Sequence, residues 1–408
     1  MNSKPSKRLT VALFSSLAIA CGAISSCSSS KSDDGSGGDG GGGDQAGQSG
    51  GGSKGDGGSN SAGKGGSASG GSGGSAAGGS GGVAGNSAGS GGGGNAGGTA
   101  GNTGGSAGSN PSTLLCPAGA QYPAPVPDGA TPTKLKDTGF EGTEGPVWVE
   151  SVKAFFFSDL QRKTMQDWSK DASSKIWKYN PETNNFEVFV AASGSNGLAV
   201  KDGKIVAALH SLGGLATFDP ATKARVDYIT GLGGNPLGSP NDLAVRADGN
   251  VYFSDPEWQK PNARPGQGQK VYRVDPQKMV TTVDTLSRPN GVTLSPDGNT
   301  LYVTDDQKNV WKYKVAANGS VTKDGKLTTT AGNYPDGMTA DCAGNVYVAT
   351  SAGVEIFSAA GAAVKTIGGL AGSGTNVAFG GTDHKTLLIT AGDTVVYSIK
   401  LNIPGLPY

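Results

Sequence analysis

The sequence is poor in several residue types on which common protein functions depend. Its 408 residues include two histidines and four cysteines, and its 33 basic side chains are matched by 33 acidic ones. A chain without net charge lacks the basic face that nucleic acid requires, so we expect no nucleic-acid partner. The two histidines argue against a mechanism built on a histidine pair, and no serine stands at the strand-to-helix elbow of a serine hydrolase.

The first residues follow a pattern typical of export. Basic residues within the first eight precede an apolar run at positions 9–20 that is too short to span a bilayer comfortably. A cysteine after small and aliphatic residues resembles the box of bacterial lipoproteins, and both Cys21 and Cys27 fit it. The prediction is a signal peptide over residues 1–27, cut before Cys21 or Cys27. We therefore expect a lipoprotein anchored to a membrane on its periplasmic or cell-surface face, or else a secreted protein.

The next segment is predicted to be a linker. Residues 28–112 are mostly Gly, Ser, Ala and Asn, and between positions 31 and 110 there is no aromatic residue and only Val83 as a large aliphatic one. Such a sequence cannot bury enough apolar surface to offset the ordering of its backbone. It is therefore expected to be a disordered tether, with an r.m.s. span of roughly 50 Å.

One stretch, residues 238–257, sets the pattern for the rest of the chain. Apolar Leu243–Val245, a turn at residues 247–250 and β-rich Val251–Ser254 predict a hairpin whose two ends return to one edge of the sheet. Similar units begin at six residues, called the openers, which are 52, 45, 49, 46 and 40 residues apart. They are Glu144, Asn196, Asn241, Asn290, Asp336 and Asn376. Short strands at this period, without an amphipathic helix of normal length, are typical of propellers.

The sequence therefore predicts an all-β, six-bladed β-propeller over residues 113–408. Blade one is expected near Pro146–Val149, Ala154–Ser158, Ile176–Tyr179 and Phe186–Val190. No room remains for a fourth strand after the last one, so Thr133–Phe140 is expected to complete blade six and close the ring.

Propeller geometry brings the six opening residues together. The innermost strand of each blade lines the central channel, so the openers are expected at one mouth, with the second-strand ends Asp159, His210, Asp255 and Asp305 beside them. Carboxylate and amide oxygens without thiolate suit a hard cation such as calcium, magnesium or manganese. Asn and Asp before Gly are also common turn formers, so one such pair alone would mean little.

The opening motifs resemble those of a known family, the gluconolactonases, regucalcin (senescence marker protein) and luciferin-regenerating enzyme. The similar segments are residues 144–148 (EGPVW), 239–242 (SPND), 288–291 (RPNG) and 335–338 (PDGM). The resemblance implies a six-bladed propeller that hydrolyses a lactone, such as gluconolactone, or a related ester at one divalent metal. Calcium is favoured, and zinc, magnesium or manganese are alternatives.

The resemblance also implies roles for individual residues. Glu144, Asn290 and Asp336 would be direct metal ligands. Asn241 would be a further ligand, or would hold a water and the substrate. Regucalcin-type members carry an arginine two residues before that asparagine, where this chain has Ser239, so the identity of the sugar stays open.

The residue types fit this chemistry. A metal can polarise the lactone carbonyl and deliver water, and Asp336 beside it can act as general base. Ser239, Asn241, His210, Asp255 and Trp258 are candidate substrate contacts, the last on one of two long loops, residues 161–174 and 256–269, that could form a partial lid. The alternative is a non-catalytic cell-surface propeller that binds a sugar, peptide or protein. One disulfide, between Cys116 and Cys342, is permitted but not required.

Overall fold

The computed structural model describes residues 115–161, 174–256, 258 and 269–406. The predicted signal peptide, both candidate lipidation cysteines, the predicted linker and Trp168 lie outside these residues. No helix in the described part of the chain is long and apolar enough to cross a membrane. The named elements there are 24 β-strands and one 3-10 turn at Glu150–Val152.

Six four-stranded antiparallel sheets form the six blades, which confirms the predicted all-β propeller. The first three blades are β2 (Thr143–Val149), β3 (Ala154–Asp159), β4 (Lys175–Asn180), β5 (Asn185–Val190); β6 (Ser195–Lys201), β7 (Lys204–Leu209), β8 (Gly214–Phe218), β9 (Arg225–Ile229); and β10 (Leu243–Val245), β11 (Val251–Asp255), β12 (Lys270–Val274), β13 (Val280–Thr285).

The last three blades follow the same order. They are β14 (Val292–Leu294), β15 (Thr300–Thr304), β16 (Asn309–Val315), β17 (Val321–Thr329); β18 (Met338–Ala340), β19 (Val346–Thr350), β20 (Gly353–Phe357), β21 (Ala363–Ile367); and β22 (Gly374–Gly380), β23 (Thr386–Ala391), β24 (Val395–Lys400), with β1 (Thr133–Lys136).

Strand β1 closes the ring. It pairs antiparallel with β24, with Thr133 opposite Ser398 and Lys134 opposite Tyr397. The expectation that Thr133–Phe140 completes blade six is thereby confirmed for residues 133–136. Closure joins the first and last parts of the propeller by backbone hydrogen bonds, and it gives blade six a fourth, outermost strand like those of the other blades.

Side chains along each inner strand point alternately to the two faces of the blade and so form the core between neighbouring blades. On β6, Leu198 packs with the apolar side chains of blades one and two, whereas the next residue, Ala199, packs with those of blades two and three. Successive side chains of a strand leave opposite faces, so each blade is apolar on both faces and is covered by a blade on either side.

On the face opposite the openers, the segments before β1 and after β24 are bonded to each other and to the turn between β18 and β19. Cys116 and Cys342 form a disulfide, with their Cα atoms 4.9 Å apart. Asn402 donates its backbone N–H to the carbonyl of Pro125, and Cys342 donates its own to Pro404. The disulfide that the sequence left open is thus present, and it fixes the segment before β1 to the turn between β18 and β19.

Candidate functional site

Three openers sit on consecutive blades with the same backbone bonding. The N–H of Asn241, Asn290 and Asp336 donates to the second strand of its own blade, at Ser254 (2.9 Å), Thr304 (3.0 Å) and Ala349 (2.9 Å). The second strand donates back to the carbonyl of the residue after each opener. Because the backbone pattern is the same in each blade, the three side chains leave their strands at equivalent positions of the mouth.

The other three openers lie at irregular points of their strands. The pairing register shifts between Glu144 and Val147, between Ser195 and Leu198 around Asn196, and between Gly374 and Asn376. Such bulges re-aim side chains and are common beside active sites. Sequence spacing placed these residues correctly at the strand openings, but it did not indicate the bulges.

Close backbone contacts join the openers into a ring. A Cβ at Gly145 would collide with the carbonyl of Asn196, and one at Gly291 would collide with the carbonyl of Asp336. Glycine is therefore needed after Glu144 and Asn290, because only hydrogen leaves room for the neighbouring blade. These contacts bring the opener segments of blades one and two, and those of blades four and five, against each other.

The oxygens of this ring are suited to a cation. Glu144 and Asn241 are buried, whereas Asn290 and Asp336 are partly exposed. Among the described residues, Oδ1 of Asn290 and Oδ1 of Asn196 are buried without a hydrogen-bond partner. Leaving such an oxygen unpaired costs about 1–3 kcal/mol, and a hard cation would satisfy it. The four predicted ligands therefore fit a divalent ion.

The donor set is unusual in that it depends on amides. No group of three or more His, Cys, Asp or Glu side chains that could hold a metal is found among the described residues. Glu144 and Asp336 supply the only carboxylates of the four predicted ligands, and the asparagines supply neutral oxygens. This composition excludes thiolate ligation and matches oxygen-ligated ions.

Asp242 is a central residue of the mouth for which no sequence pattern indicated a role. Its Oδ2 accepts the N–H of Val292 (3.0 Å), its side chain is bonded to that of Asn376, and its Oδ1 leaves no space for a side chain at Gly197. The carboxyl thus touches blades two, four and six. Burial raises its pKa to about 7, partly offset by hydrogen bonds from Val292, Leu243 and Asn376.

Three predicted substrate contacts, Asp255, Ser239 and His210, form hydrogen bonds that hold loops of the mouth. The Asp255 carboxylate, fully buried, accepts the N–H groups of Gly238 (2.8 Å) and Ser239 (2.5 Å). Nε2 of His210 lies 2.7 Å from Oγ of Ser174, and both residues are buried. These bonds place Asp255, His210 and buried Ser239 behind the mouth, where they hold the loops that enter it; their contact with substrate stays a prediction.

The same loop support recurs on alternate blades. Asp159 on blade one accepts the N–H groups of Glu141 and Gly142, and Glu355 on blade five accepts those of Ala331 and Gly332. With Asp255 on blade three, a carboxylate in each odd blade binds two successive N–H groups shortly before the opener. The sequence marked Asp159 and Asp255 as mouth residues but could not separate support from chemistry.

Trp258 is the predicted contact that reaches solvent. It is 38% exposed, and the guanidinium of Arg288 lies 4.6 Å from its ring centroid. Arg288 stands two residues before Asn290 and was not among the predicted site residues. Most of the two predicted lid loops lies outside the described residues.

Comparisons with known proteins agree with this architecture. A family model described as the SMP-30/Gluconolactonase/LRE-like region matches residues 142–393. The gluconolactonase of Zymomonas mobilis subsp. mobilis is 31% identical over 291 residues, which cover 66% of this chain and 81% of the relative. The pentonolactonase XacC of Haloferax volcanii is 27% identical over 273 residues, which cover 64% and 84%.

A solved structure shows the same fold. Regucalcin from Agrobacterium tumefaciens, a calcium-binding protein, superposes with a TM-score of 0.55 at 19% identity, covering 70% of this chain and 96% of its own. The family match, the relative at 31% identity and the ring of openers lead to one assignment. The chain belongs to the SMP-30/gluconolactonase/LRE-like family.

Proposed function

We propose that the protein is a divalent-metal-dependent lactonase that opens the ring of a sugar-acid lactone such as gluconolactone. The observation that carries this proposal is the ring of oxygen donors at the mouth, in which Oδ1 of Asn290 is buried and unpaired. Relatives that share the family act on gluconolactone or pentonolactone by name. Both are lactones of sugar acids, which sets the substrate class.

Glu144, Asn241, Asn290 and Asp336 are the residues that would hold the ion. Their oxygen-only chemistry favours calcium, with magnesium, manganese or zinc as alternatives. When bound, a divalent cation supplies Lewis-acid polarisation of the lactone carbonyl.

Asp336 is the residue we assign as general base. It is partly exposed, so substrate and water can reach it, while its N–H donates to Ala349 of β19 and Ala349 donates back to the carbonyl of Gly337. As the oxygen of water bonds to the carbonyl carbon, Asp336 accepts the proton that water loses. The ester C–O bond of the ring then breaks, and the ring oxygen takes up a proton to become a hydroxyl.

The supporting residues keep this geometry fixed. Asp255 binds the N–H groups of Gly238 and Ser239 and so holds the loop that leads into Asn241. Asp242 bonds Val292, two residues after Asn290, and so links the positions of blades three and four. Preorganised groups of this kind contribute to catalysis because they need no rearrangement during reaction.

A hydrolysis panel tests the proposal. The purified protein is treated with a chelator and then assayed with calcium, magnesium, manganese or zinc against aldonolactones, aromatic lactones and phosphotriesters. We expect aldonolactone turnover that depends on added metal. Asp336→Asn keeps an oxygen but not the base, so we expect a loss of roughly 10²–10⁴-fold in kcat.

The matched control is Asp297→Asn, which makes the same change in an exposed turn on the opposite face. It should retain the parent activity. If the parent binds no divalent ion, or if Asp336→Asn hydrolyses lactones as fast as the parent, the catalytic assignment is wrong. The non-catalytic binding module then becomes the better interpretation of the mouth.

A further inference from the structure

Two residues that precede prolines at the mouth have an unusual backbone. Arg288 before Pro289 has φ of 42°, and Tyr334 before Pro335 has φ of 54°. The residue before a proline normally adopts an extended conformation with negative φ, and a left-handed φ is uncommon for residues other than glycine. Strained conformations of this kind cluster at ligand-binding sites, where the surrounding structure maintains them.

The two positions are equivalent in neighbouring blades. Arg288 lies two residues before Asn290 on blade four, and Tyr334 lies two residues before Asp336 on blade five. Ser351 donates its N–H to the carbonyl of Asn333 and accepts the N–H of Asn333 at its Oγ, which fixes the loop of Tyr334. The N–H of Asp306 donates to the carbonyl of Ser287, which fixes the loop of Arg288. Both side chains therefore leave rigid supports at the edge of the mouth.

Arg288 lies against Trp258, and its side chain has no hydrogen bond to another described residue. Its guanidinium lies 4.6 Å from the ring centroid of Trp258, and it is paired with Asp306 at 4.0 Å. Its side chain is 53% exposed. An arginine held by an aromatic face keeps its planar edge of N–H donors available for oxygen acceptors.

Tyr334 completes an arc of three exposed side chains. It is 72% exposed, more than any other large hydrophobic side chain in the described part of the chain. Trp258, Arg288 and Tyr334 belong to blades three, four and five, the same blades that carry Asn241, Asn290 and Asp336. Two aromatic rings beside one guanidinium offer apolar faces and fixed donors together, a combination suited to a ligand with C–H faces and many hydroxyls.

We propose that Trp258, Arg288 and Tyr334 form a recognition rim for the polyhydroxylated part of the substrate, with Arg288 and Tyr334 as its specificity-determining residues. This inference rests on the proposed lactonase function and specifies its substrate class. The rim contacts hydroxyl groups and sugar C–H faces, while the ring of oxygen donors acts on the lactone carbonyl. An unsubstituted aliphatic lactone offers the rim almost nothing to bind.

The test compares glucono-δ-lactone with δ-valerolactone, which has the same ring but no hydroxyl groups. Arg288→Met and Tyr334→Ala should raise KM for gluconolactone by roughly 10–100-fold and about fivefold, respectively, with a smaller change in kcat. The loss of activity on δ-valerolactone should be much smaller, so the preference of the enzyme for the sugar lactone should fall. Arg288→Lys keeps the charge without the planar fork and should lie between the parent and Arg288→Met.

Matched controls come from the outer strand β9, away from the mouth. Arg225→Met removes an exposed guanidinium and Val226→Ala shortens an exposed apolar side chain, and both should leave activity on the two substrates unchanged. Thermal unfolding of every variant checks that the fold is retained. If the Arg288 and Tyr334 variants lose activity equally on both substrates, or on neither, the rim is not a specificity element and the inference is overturned.

A binding measurement separates this inference from the proposed function. Calorimetric titration with gluconate, the product anion, should show binding to the parent and weaker binding to Arg288→Met. If the parent hydrolyses neither lactone but binds gluconate through Arg288, the catalytic proposal fails and the rim stands. If gluconate does not bind to the parent, the rim is wrong even where lactones are hydrolysed.

Discussion

The unpaired oxygen of Asn290 is the most informative single atom at the mouth. Buried polar atoms in proteins are nearly always hydrogen-bonded, and leaving one unpaired costs about 1–3 kcal/mol. A fold that retains this atom beside Asp336, and a second such oxygen on Asn196, maintains polar sites that a ligand would satisfy. At the scale of residues, the case for a cation therefore rests on these unpaired oxygens together with the two carboxylates.

Glu144→Gln tests the charge of that site. The substitution keeps the shape and the oxygen but removes one of two negative charges, so calcium affinity should fall by about tenfold or more. Because the general base is untouched, excess calcium should restore part of the activity. Calorimetry and a metal titration of the activity measure both effects.

Glu187→Gln is the matched control, because Glu187 lies exposed on β5 and pairs with Lys178. It should leave calcium affinity unchanged. Equal calcium affinity of Glu144→Gln and the parent would remove Glu144 from the ligand set.

Sequence spacing predicted the openers but not their surroundings. Glu144, Asn290 and Asp336 were found because the hairpin repeat places one opener per blade, which is a local pattern. Asp242 and Arg288 were missed as site residues because their roles depend on contacts with other blades, Asn376 for one and Trp258 for the other. Such contacts join residues far apart in the chain and leave no periodic signal.

At the scale of elements, the disulfide is expected to secure the segment before β1. It joins residues 226 positions apart, and removing a native disulfide typically costs about 2–5 kcal/mol. Cys116→Ala with Cys342→Ala should therefore lower Tm and expose the segment around Pro117 to protease. Each single variant should be destabilised about as much as the pair, because either one removes the whole bond.

Reduction provides the control for that experiment. A reducing agent should lower the Tm of the parent toward that of the double variant and leave the double variant unchanged. An identical Tm for parent and double variant under oxidising conditions would show that the bond adds no stability.

The turn between β22 and β23 should make stability depend on pH through His384. Burial lowers the pKa of His384 below 6.5, against the opposing influence of Glu150 and Asp383. The folded state therefore favours the neutral ring. The stability that the neutral His384 ring contributes is complete above pH 6.5. It is lost as the pH falls below that value, because the unfolded chain binds the proton more readily.

His384→Asn should remove this dependence. Asparagine tolerates the left-handed φ of 54° at this position. Thermal unfolding between pH 7.5 and 5 should show a smaller loss of stability for the variant than for the parent. Parallel curves for the two proteins would contradict the prediction.

The strands themselves were largely predictable. Blade one was expected near Pro146–Val149 and Ala154–Ser158, and the structure has Thr143–Val149 and Ala154–Asp159. Alternating apolar residues and turn signals fix these elements locally. The register shifts at Glu144 and Asn196 were not predictable, because a bulge is fixed by packing between blades and not by the sequence of one strand.

For the whole molecule, closure of the ring explains why the propeller should be self-sufficient. Strand β1 pairs with β24, so the first and last strands of the domain hold each other by backbone hydrogen bonds. Cys116, the first residue of the disulfide, also lies after residue 113, where the domain is predicted to start. A disulfide suits an oxidising compartment, which supports the proposed export of the protein.

A chain that starts at residue 113 should therefore fold and act like the full-length protein. The composition of residues 28–112, with Val83 as the only large aliphatic side chain between positions 31 and 110, gives them no means of adding buried apolar area to the domain. We expect the same Tm and the same kcat and KM on lactones, measured by thermal unfolding and hydrolysis assays. A second truncation, beginning at residue 137, is the contrasting variant: it removes β1 and Cys116, opens blade six and should lose cooperative unfolding. Loss of the cooperative transition in the chain that starts at residue 113 would show instead that the Gly/Ser-rich segment is part of the folded domain.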